Sequence, residues 1–99
     1  MPPGNNLTGK VVLITGAARR MGAAIAKHLH QQGCNIIIHY RRSENSAQLL
    51  RSELEQIRRQ STALVQGDLL NAQERNAFLD RAINEWQRLD VLINNASSF

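Results

Sequence analysis

The sequence has few cysteines and aromatic residues and no long apolar run. Its 99 residues include a single cysteine, Cys34, so no disulfide can form within the chain and a reducing, cytoplasmic location is expected. No apolar run approaches the about 20 residues of a membrane-spanning helix, so no membrane contact is expected. Aromatic residues make up only 4% of the chain, but 42% of the residues are hydrophobic and 20% are charged. This balance is typical of a folded globular domain and does not indicate intrinsic disorder.

The formal net charge of +4 suggests an anionic partner, and the distribution of the arginines indicates which kind. Four arginines follow two predicted strands: Arg19, Arg20, Arg41 and Arg42. The others are scattered along predicted helices among acidic residues, as on a solvated surface. A local anion site explains the first group, so no nucleic-acid partner is predicted. No metal site is predicted either, because His28 and His30 lack Cys, Asp or Glu partners at ligand spacing and are interpreted as surface or dipole-compensating side chains.

Short apolar runs alternate with longer amphipathic segments. The predicted strands are Lys10–Ile14, Asn35–Tyr40, Thr62–Gln66 and Leu89–Ile93, and the predicted helices run from Met21 to about Gln32, from Glu44 onward and from Asn71 to about Gln87. This order predicts an α/β fold with a Rossmann-type, doubly wound parallel sheet. Residues 1–9 are predicted to be a flexible N-terminal arm. Residues 10–99 are predicted to be the N-terminal βαβαβαβ portion of a larger dinucleotide-binding domain, since the pattern stops just after a strand.

Two of the helices begin with capping signals. Ser43 is well placed as the N-cap of the second helix, and Asn71 with Glu74 resembles a capping box at the start of the third. The buried face of the third helix is expected to carry four side chains: Ala77, Phe78, Ala82 and Trp86.

The segment from Val11 to Ala26 combines a buried strand, a turn flanked by glycines and the start of a helix. Gly16 would permit the tight turn, and Gly22 would let the helix pack close to the sheet. The open helix N-terminus would then offer unpaired N–H groups to a phosphate or pyrophosphate. The alternative is plain turn chemistry, because five residues separate these glycines and the usual G-x-G-x-x-G spacing is not kept.

Each predicted strand is followed by an unusual polar cluster. The clusters are Thr15–Gly22, His39–Ser43, Gly67–Leu69 and Asn94–Phe99. Ligands of open α/β sheets bind outside the carboxyl ends of the strands, so these clusters are expected to form one cleft. A single dinucleotide would touch all of them.

The cluster after the second strand indicates which dinucleotide is bound. An NAD site usually has Asp or Glu there to bind the ribose hydroxyls, but this chain has Arg41, Arg42 and Ser43. A guanidinium and a hydroxyl at a helix start suit the 2′-phosphate of NADP, and an arginine of the first loop could reach the same phosphate. The alternative is that both arginines remain in water, although a helix N-terminus is slightly unfavourable for cations.

Three further side chains have two interpretations each. Asp68 either accepts a hydrogen bond from the adenine amino group or caps the loop before Asn71. Asn95 either brings its amide near the cofactor ribose or forms an Asx-type turn. Phe99 either stacks on a planar substrate over the nicotinamide or packs into a core.

Three motifs together resemble the short-chain dehydrogenase/reductase family: Thr15–Gly22, Gly67–Leu69 and Asn94–Ala96. The resemblance covers nearly the whole chain after Thr8. The glycine loop departs from the family's usual T-G-x-x-x-G-x-G because Arg20 stands at the middle glycine. This arginine, together with the segments His39–Ser43 and Asn94–Phe99, resembles the motifs of pteridine reductases.

The resemblance implies NADPH-dependent reduction of pterins by hydride transfer, with dihydropterin, biopterin or dihydrofolate as substrates. It implies that Arg42 and Ser43, with Tyr40 nearby, bind the 2′-phosphate. The other implied cofactor contacts are Arg20 and Met21 at the first loop, Asp68 and Leu69 beside the adenine, Asn95 and Ala96 beside the ribose, and Ser97, which contacts cofactor or substrate. Phe99 would hold the pterin against the nicotinamide and orient it for hydride transfer.

The family's proton-donating Tyr-x-x-x-Lys pair does not occur here, because Tyr40 is the only tyrosine and no lysine stands four residues after it. The resemblance therefore implies catalytic residues after residue 99 and a homo-tetramer for the complete protein. Two alternatives remain. One is a short-chain reductase of another carbonyl substrate, such as a 3-oxoacyl thioester. The other is an NADP-binding module without catalysis.

Overall fold

The computed structural model describes residues 7–95. Within them, strands and helices alternate: β1 (Val11–Thr15), α1 (Arg20–Gln31), β2 (Asn35–Tyr40), α2 (Glu44–Ile57), β3 (Thr62–Gln66), α3 (Ala72–Trp86) and β4 (Val91–Asn94). The strands form one parallel sheet in the order β3-β2-β1-β4. The predicted Rossmann-type α/β fold is confirmed, and the strand order reverses between β1 and β4.

The sheet is apolar on both faces because helices cover both sides. One buried cluster joins alternate strand residues to α1 and α2: Val12, Ile14, Ile36, Ile38, Ala26, Ala47, Leu50 and Leu54. The other joins the intervening strand residues to α3: Val11, Leu13, Ile37, Phe78 and Ala82. Successive side chains of a strand point to opposite faces, so an unbroken apolar run fills both clusters. Each fully buried Leu or Ile contributes about 1.5–3 kcal/mol to folding.

The strand bounds differ slightly from the predicted ones. β1 begins at Val11 instead of Lys10 and includes Thr15, and β4 begins at Val91 instead of Leu89. Asp90 lies just before β4 and binds Val11 through its main chain and its side chain. The Asp90 N–H donates to the Val11 carbonyl at 2.9 Å, and the Asp90 carboxylate accepts from the Val11 N–H at 2.8 Å. These two bonds attach the segment between α3 and β4 to the start of β1.

The caps of α2 and α3 differ from the predicted ones. Ser43 occupies the N-cap position of α2 as predicted, but its side chain makes no capping hydrogen bond. Its φ of −90 and ψ of 55 lie outside the extended region typical of a cap. Asn71 does cap α3, because its side chain accepts from the Glu74 N–H at 3.1 Å. Glu74 does not complete the box, since its carboxylate accepts from the Asp68 N–H at 3.2 Å.

Phe78 and Ala82 are the buried residues of α3, and Trp86 is half-buried beside them. Ala77 is exposed, which corrects the expectation that it faces the sheet. Leu7, within the predicted arm, packs against the cluster that joins the sheet to α1 and α2. No described helix has both the length and the apolar character needed to cross a bilayer.

Candidate functional site

A cleft of about 540 Å³ lies at the carboxyl ends of the strands. Eight of the residues predicted to bind a cofactor line it: Gly16, Met21, Tyr40, Arg42, Ser43, Asp68, Leu69 and Asn95. The four polar clusters therefore meet at one edge of the sheet within the described residues, as expected for parallel strands. Arg20 and Gly22 lie at the start of α1 and are not among the lining residues. Ala96, Ser97 and Phe99 lie outside the described residues.

The turn after β1 requires glycine at two positions for different reasons. Gly16 has a φ of 63, in the left-handed region that favours glycine. Gly22 has its Cα close to the turn, and a Cβ at this position would lie 2.5 Å from the Gly16 carbonyl oxygen. The first turn of α1 therefore packs so closely against the turn after β1 that a side chain at position 22 would clash with it.

The N-terminus of α1 opens beside the cleft. Arg19 precedes the helix in an extended conformation, and within residues 7–95 no side chain caps the helix start and no acidic residue lies in its first turn. Ala18, Arg19 and Met21 line the cleft, and the Met21 side chain is exposed. The first N–H groups of this helix are thus available to an anion, as the sequence predicts.

Asn95 connects the end of β4 to the glycine turn. Its side-chain amide donates to the Gly16 carbonyl at 3.3 Å, and its main-chain N–H donates to Thr15 Oγ1 at 2.9 Å. Neither interpretation of Asn95 from the sequence included this bond to the turn. This bond depends on the pairing of β4 beside β1, which brings Asn94 level with Thr15.

The two arginines after β2 have different surroundings. The Arg41 guanidinium lies 3.2 Å from the Asp68 carboxylate, whereas Arg42 is exposed and forms no ion pair within residues 7–95. Asp68 also accepts a hydrogen bond from the Leu70 N–H at 2.9 Å, and its carbonyl accepts from the Asn71 N–H at 3.0 Å. Asp68 thus caps the loop before α3, which is one of its two predicted roles.

His39 is the buried polar side chain of the cleft, at 2% exposure. Its imidazole bonds to Gly16 and to Gly67, and it stacks on Phe78 with a ring-centroid distance of 4.8 Å. Burial lowers the pKa of His39, and the hydrogen bond to Gly67 opposes that shift only in part. From the sequence we expected only a polar cluster at this place. A histidine inside an otherwise apolar strand is the feature that could have identified His39 as a buried polar side chain.

A second polar group lies at the opposite edge of the sheet. His30 is buried and bonds through Nε2 to Ser61 Oγ at 2.8 Å, so its interpretation as a surface side chain is wrong, whereas His28 is exposed. The Glu55 carboxylate accepts from the main-chain N–H groups of Gln60, Ser61 and Thr62. In the described part of the chain, no three His, Cys, Asp or Glu side chains are grouped as a metal site would need.

Comparisons with known proteins agree with this geometry. The family model described as short chain dehydrogenase matches residues 10–98. The chain is 38% identical to Pteridine reductase 1 of Leishmania tarentolae, across 93% of this chain and 38% of that protein. It is 32% identical to the short-chain dehydrogenase/reductase FrzI of Cladobotryum sp, across 97% of this chain and 37% of FrzI. It is 34% identical to the hydroxynaphthalene reductase arp2 of Aspergillus fumigatus, across 91% of this chain and 35% of arp2. The chain therefore spans less than two fifths of each of these relatives.

Proposed function

Because this chain belongs to the short chain dehydrogenase family, we propose that it forms the cofactor-binding part of an oxidoreductase that uses NADPH to reduce a pterin. One observation carries the choice of cofactor: Arg42 and Ser43 line the cleft directly after β2, and Arg42 has no anionic partner within residues 7–95. A guanidinium without a carboxylate partner is suited to bind the 2′-phosphate that distinguishes NADPH from NADH.

The rest of the cleft suits the remaining parts of NADPH. Its volume of about 540 Å³ lies within the usual range for ligand pockets. The uncapped start of α1 offers N–H groups to the pyrophosphate. Leu69 and Asp68 follow β3 at the wall where the adenine would lie. Bound NADPH would supply the hydride, and the residues of this chain would bind and orient it.

The pterin substrate is proposed from the likeness to Pteridine reductase 1 of Leishmania tarentolae. In this proposal Ser97 and Phe99 form one wall of the substrate site, with the aromatic ring of Phe99 against the flat pterin. The proton donor and its lysine are expected after residue 99. A homo-tetramer and a cytoplasmic location also stay predictions.

A second candidate function is reduction of another carbonyl substrate. It is favoured by the similar identity to the hydroxynaphthalene reductase of Aspergillus fumigatus, at 34%. The cleft described here would serve either reaction, because it contains the cofactor side of the site. The two candidates therefore differ in substrate and share the cofactor.

The first test is NADPH oxidation by the full-length protein with dihydrobiopterin, beside a 3-oxoacyl thioester and with NADH in parallel. Turnover of the pterin with NADPH alone would support both parts of the proposal. Turnover of the thioester alone would favour the second candidate. Cofactor binding without turnover of either would indicate a non-catalytic module, and a preference for NADH would contradict the phosphate site.

The phosphate site has its own test in Arg42→Gln. Loss of charge-assisted hydrogen bonds should weaken NADPH binding about 10- to 100-fold and change NADH binding little. Arg51→Gln is the matched control, because Arg51 is an exposed arginine of α2 that does not line the cleft. An equal loss of both nucleotides in Arg42→Gln would contradict a role at the 2′-phosphate.

A further inference from the structure

His39 lies where two loops of the cleft can be held by one side chain. β2 lies between β1 and β3 in the sheet, so a residue near its carboxyl end has the loop after β1 on one side and the loop after β3 on the other. The Gly16 N–H donates to His39 Nδ1 at 3.0 Å. The other ring nitrogen, Nε2, lies 2.8 Å from the Gly67 carbonyl oxygen. The imidazole therefore connects the glycine turn to the loop before α3.

The partners of His39 determine its tautomer. Gly16 contributes an N–H donor, so Nδ1 must carry the lone pair, and Gly67 contributes a carbonyl acceptor, so Nε2 must carry the proton. Protonation of Nδ1 would point a second N–H at the Gly16 N–H and remove that hydrogen bond. Burial lowers the pKa of His39, so the neutral form predominates near neutral pH.

Each loop is also bound to β2 by the main chain. The Ala17 N–H donates to the His39 carbonyl at 3.0 Å, and the Gly67 N–H donates to the Tyr40 carbonyl at 3.2 Å. The imidazole adds a second attachment to each loop, and the stack on Phe78 restricts its ring. Two attachments define the orientation of a loop as well as its distance from the strand.

We propose that neutral His39 is a positioning residue, which holds the Gly16 turn and the Gly67 loop at the spacing that the bound dinucleotide needs. This inference rests on the proposed NADPH function and names a regulation of the same site. Protonation releases the Gly16 turn, so nucleotide affinity falls in acid. His39 itself contacts the two loops and acts on the nucleotide through them.

Other charged groups lie on the elements around His39, and their effect on the pH dependence of nucleotide binding must be distinguished from the effect of His39. They are Arg19 before α1, Arg41 after β2, Asp68 after β3 and Glu74 of α3. Arg41 pairs with Asp68, and the Glu74 carboxylate accepts from the Asp68 N–H. A histidine titrates between about pH 5 and 8. The 2′-phosphate of the nucleotide also titrates near that range, and its effect on binding should be the same for every variant.

The test uses two variants that each keep half of the imidazole's function. The side-chain oxygen of His39→Asn can replace Nδ1 as the acceptor for Gly16, and the side-chain nitrogen of His39→Gln can replace Nε2 as the donor to Gly67. His28→Gln is the control, because His28 is exposed on α1. Dissociation constants for NADP⁺ are measured between about pH 5 and 8 on the full-length protein.

Loss of one hydrogen bond should weaken NADP⁺ binding about 3- to 10-fold at high pH in both His39 variants. The wild type and His28→Gln should lose further affinity as the pH falls below about 6.5, and the His39 variants should show only the change caused by the phosphate. Wild-type affinity and pH profile in both His39 variants would overturn the inference.

A measurement without nucleotide separates this inference from the proposed function. Nitrogen-15 shifts of the imidazole should give the Nε2–H tautomer for His39, and the Gly16 amide should exchange faster with solvent in His39→Gln than in the wild type. The opposite tautomer overturns the inference even if NADP⁺ binds. Failure of the wild type to bind NADP⁺ at any pH, with the tautomer as expected, overturns the proposed function and the inferred regulation.

Discussion

The Arg41 guanidinium lies 3.2 Å from the Asp68 carboxylate, which joins the loops after β2 and β3 at the cleft. The side-chain amide of Gln66 donates to the Arg41 carbonyl at 3.1 Å and holds the same segment. Because the Arg41 side chain is 52% exposed, the ion pair contributes at most about 1 kcal/mol to stability. Its main consequence is electrostatic, since Asp68 neutralises Arg41 and leaves Arg42 as a separate cation.

Asp68→Asn should raise the affinity for NADPH up to about fivefold and leave the affinity for NADH unchanged. The substitution frees Arg41 for the 2′-phosphate, and the asparagine oxygen can still accept from the Leu70 N–H. Titration of both nucleotides by fluorescence checks this. An equal loss of affinity for both would indicate instead that Asp68 binds the adenine, which the two nucleotides share.

Gly22→Ala should lower the free energy of unfolding by about 1–3 kcal/mol and weaken NADPH binding at least about tenfold. The new methyl group would lie 2.5 Å from the Gly16 carbonyl oxygen and 2.7 Å from the Asn95 amide nitrogen, so α1 must move away from the turn. Denaturant titration and nucleotide titration measure the two effects.

The control for that substitution is Ala24→Gly, at an exposed position of α1. It should cost about 1 kcal/mol through helix propensity while NADPH affinity stays at the wild-type value. Unchanged affinity in Gly22→Ala would mean that the close approach of α1 to the turn does not matter for binding.

Glu55→Gln should lower the free energy of unfolding by about 1–2 kcal/mol without changing NADPH affinity. Burial alone would raise the pKa of Glu55, but hydrogen bonds from Thr62, Gln60 and Ser61 outweigh it and lower the pKa. The stability that Glu55 contributes is therefore present above about pH 4.5 and lost as the pH falls below that value.

Urea titrations between about pH 3 and 6 should give a flatter pH profile for Glu55→Gln than for the wild type. Glu53→Gln is the control, because Glu53 pairs with Lys27 at 3.2 Å on the exposed surface and should change stability by less than about 1 kcal/mol. Equal losses in the two variants would argue against a special role of Glu55 at the start of β3.

His30 should make the protein less stable in mild acid. Ser61 Oγ donates to the Arg58 carbonyl, so His30 Nε2 is the donor to Ser61, and within the described residues Nδ1 has no partner. Burial and the nearby Arg58 lower the pKa of His30. The unfolded chain then binds the proton more readily, so stability is full above about pH 6.5 and falls below it.

His30→Gln keeps a donor for Ser61 and removes the titration. Its free energy of unfolding should depend less on pH than that of the wild type between about pH 5 and 7, and the slope that remains belongs to His39, whose pKa is lowered as well. His28→Gln should leave the wild-type slope unchanged. A wild-type slope in His30→Gln would contradict the buried neutral imidazole.

The order of strands and helices, and the edge where the cleft forms, were predictable from the sequence. Runs such as Ile36–Ile38 are apolar at successive positions because both faces of the sheet are covered, and that pattern is local. The helix caps were less predictable. Ser43 has a suitable residue type for a cap, but the chain enters α2 in a conformation that keeps its hydroxyl from the helix N–H groups.

The sequence by itself determined the alternation of elements, the glycine turn and the pair of arginines after β2, since each depends on neighbouring residues. Only the tertiary structure decided that His39 binds Gly16 and Gly67, 23 and 28 residues away, and that Asn95 reaches Gly16 from 79 residues away. It also decided that Asp68 pairs with Arg41 and leaves Arg42 without an ion pair in residues 7–95. These contacts follow from the strand order β3-β2-β1-β4, because neighbouring strands bring together loops that are distant along the chain.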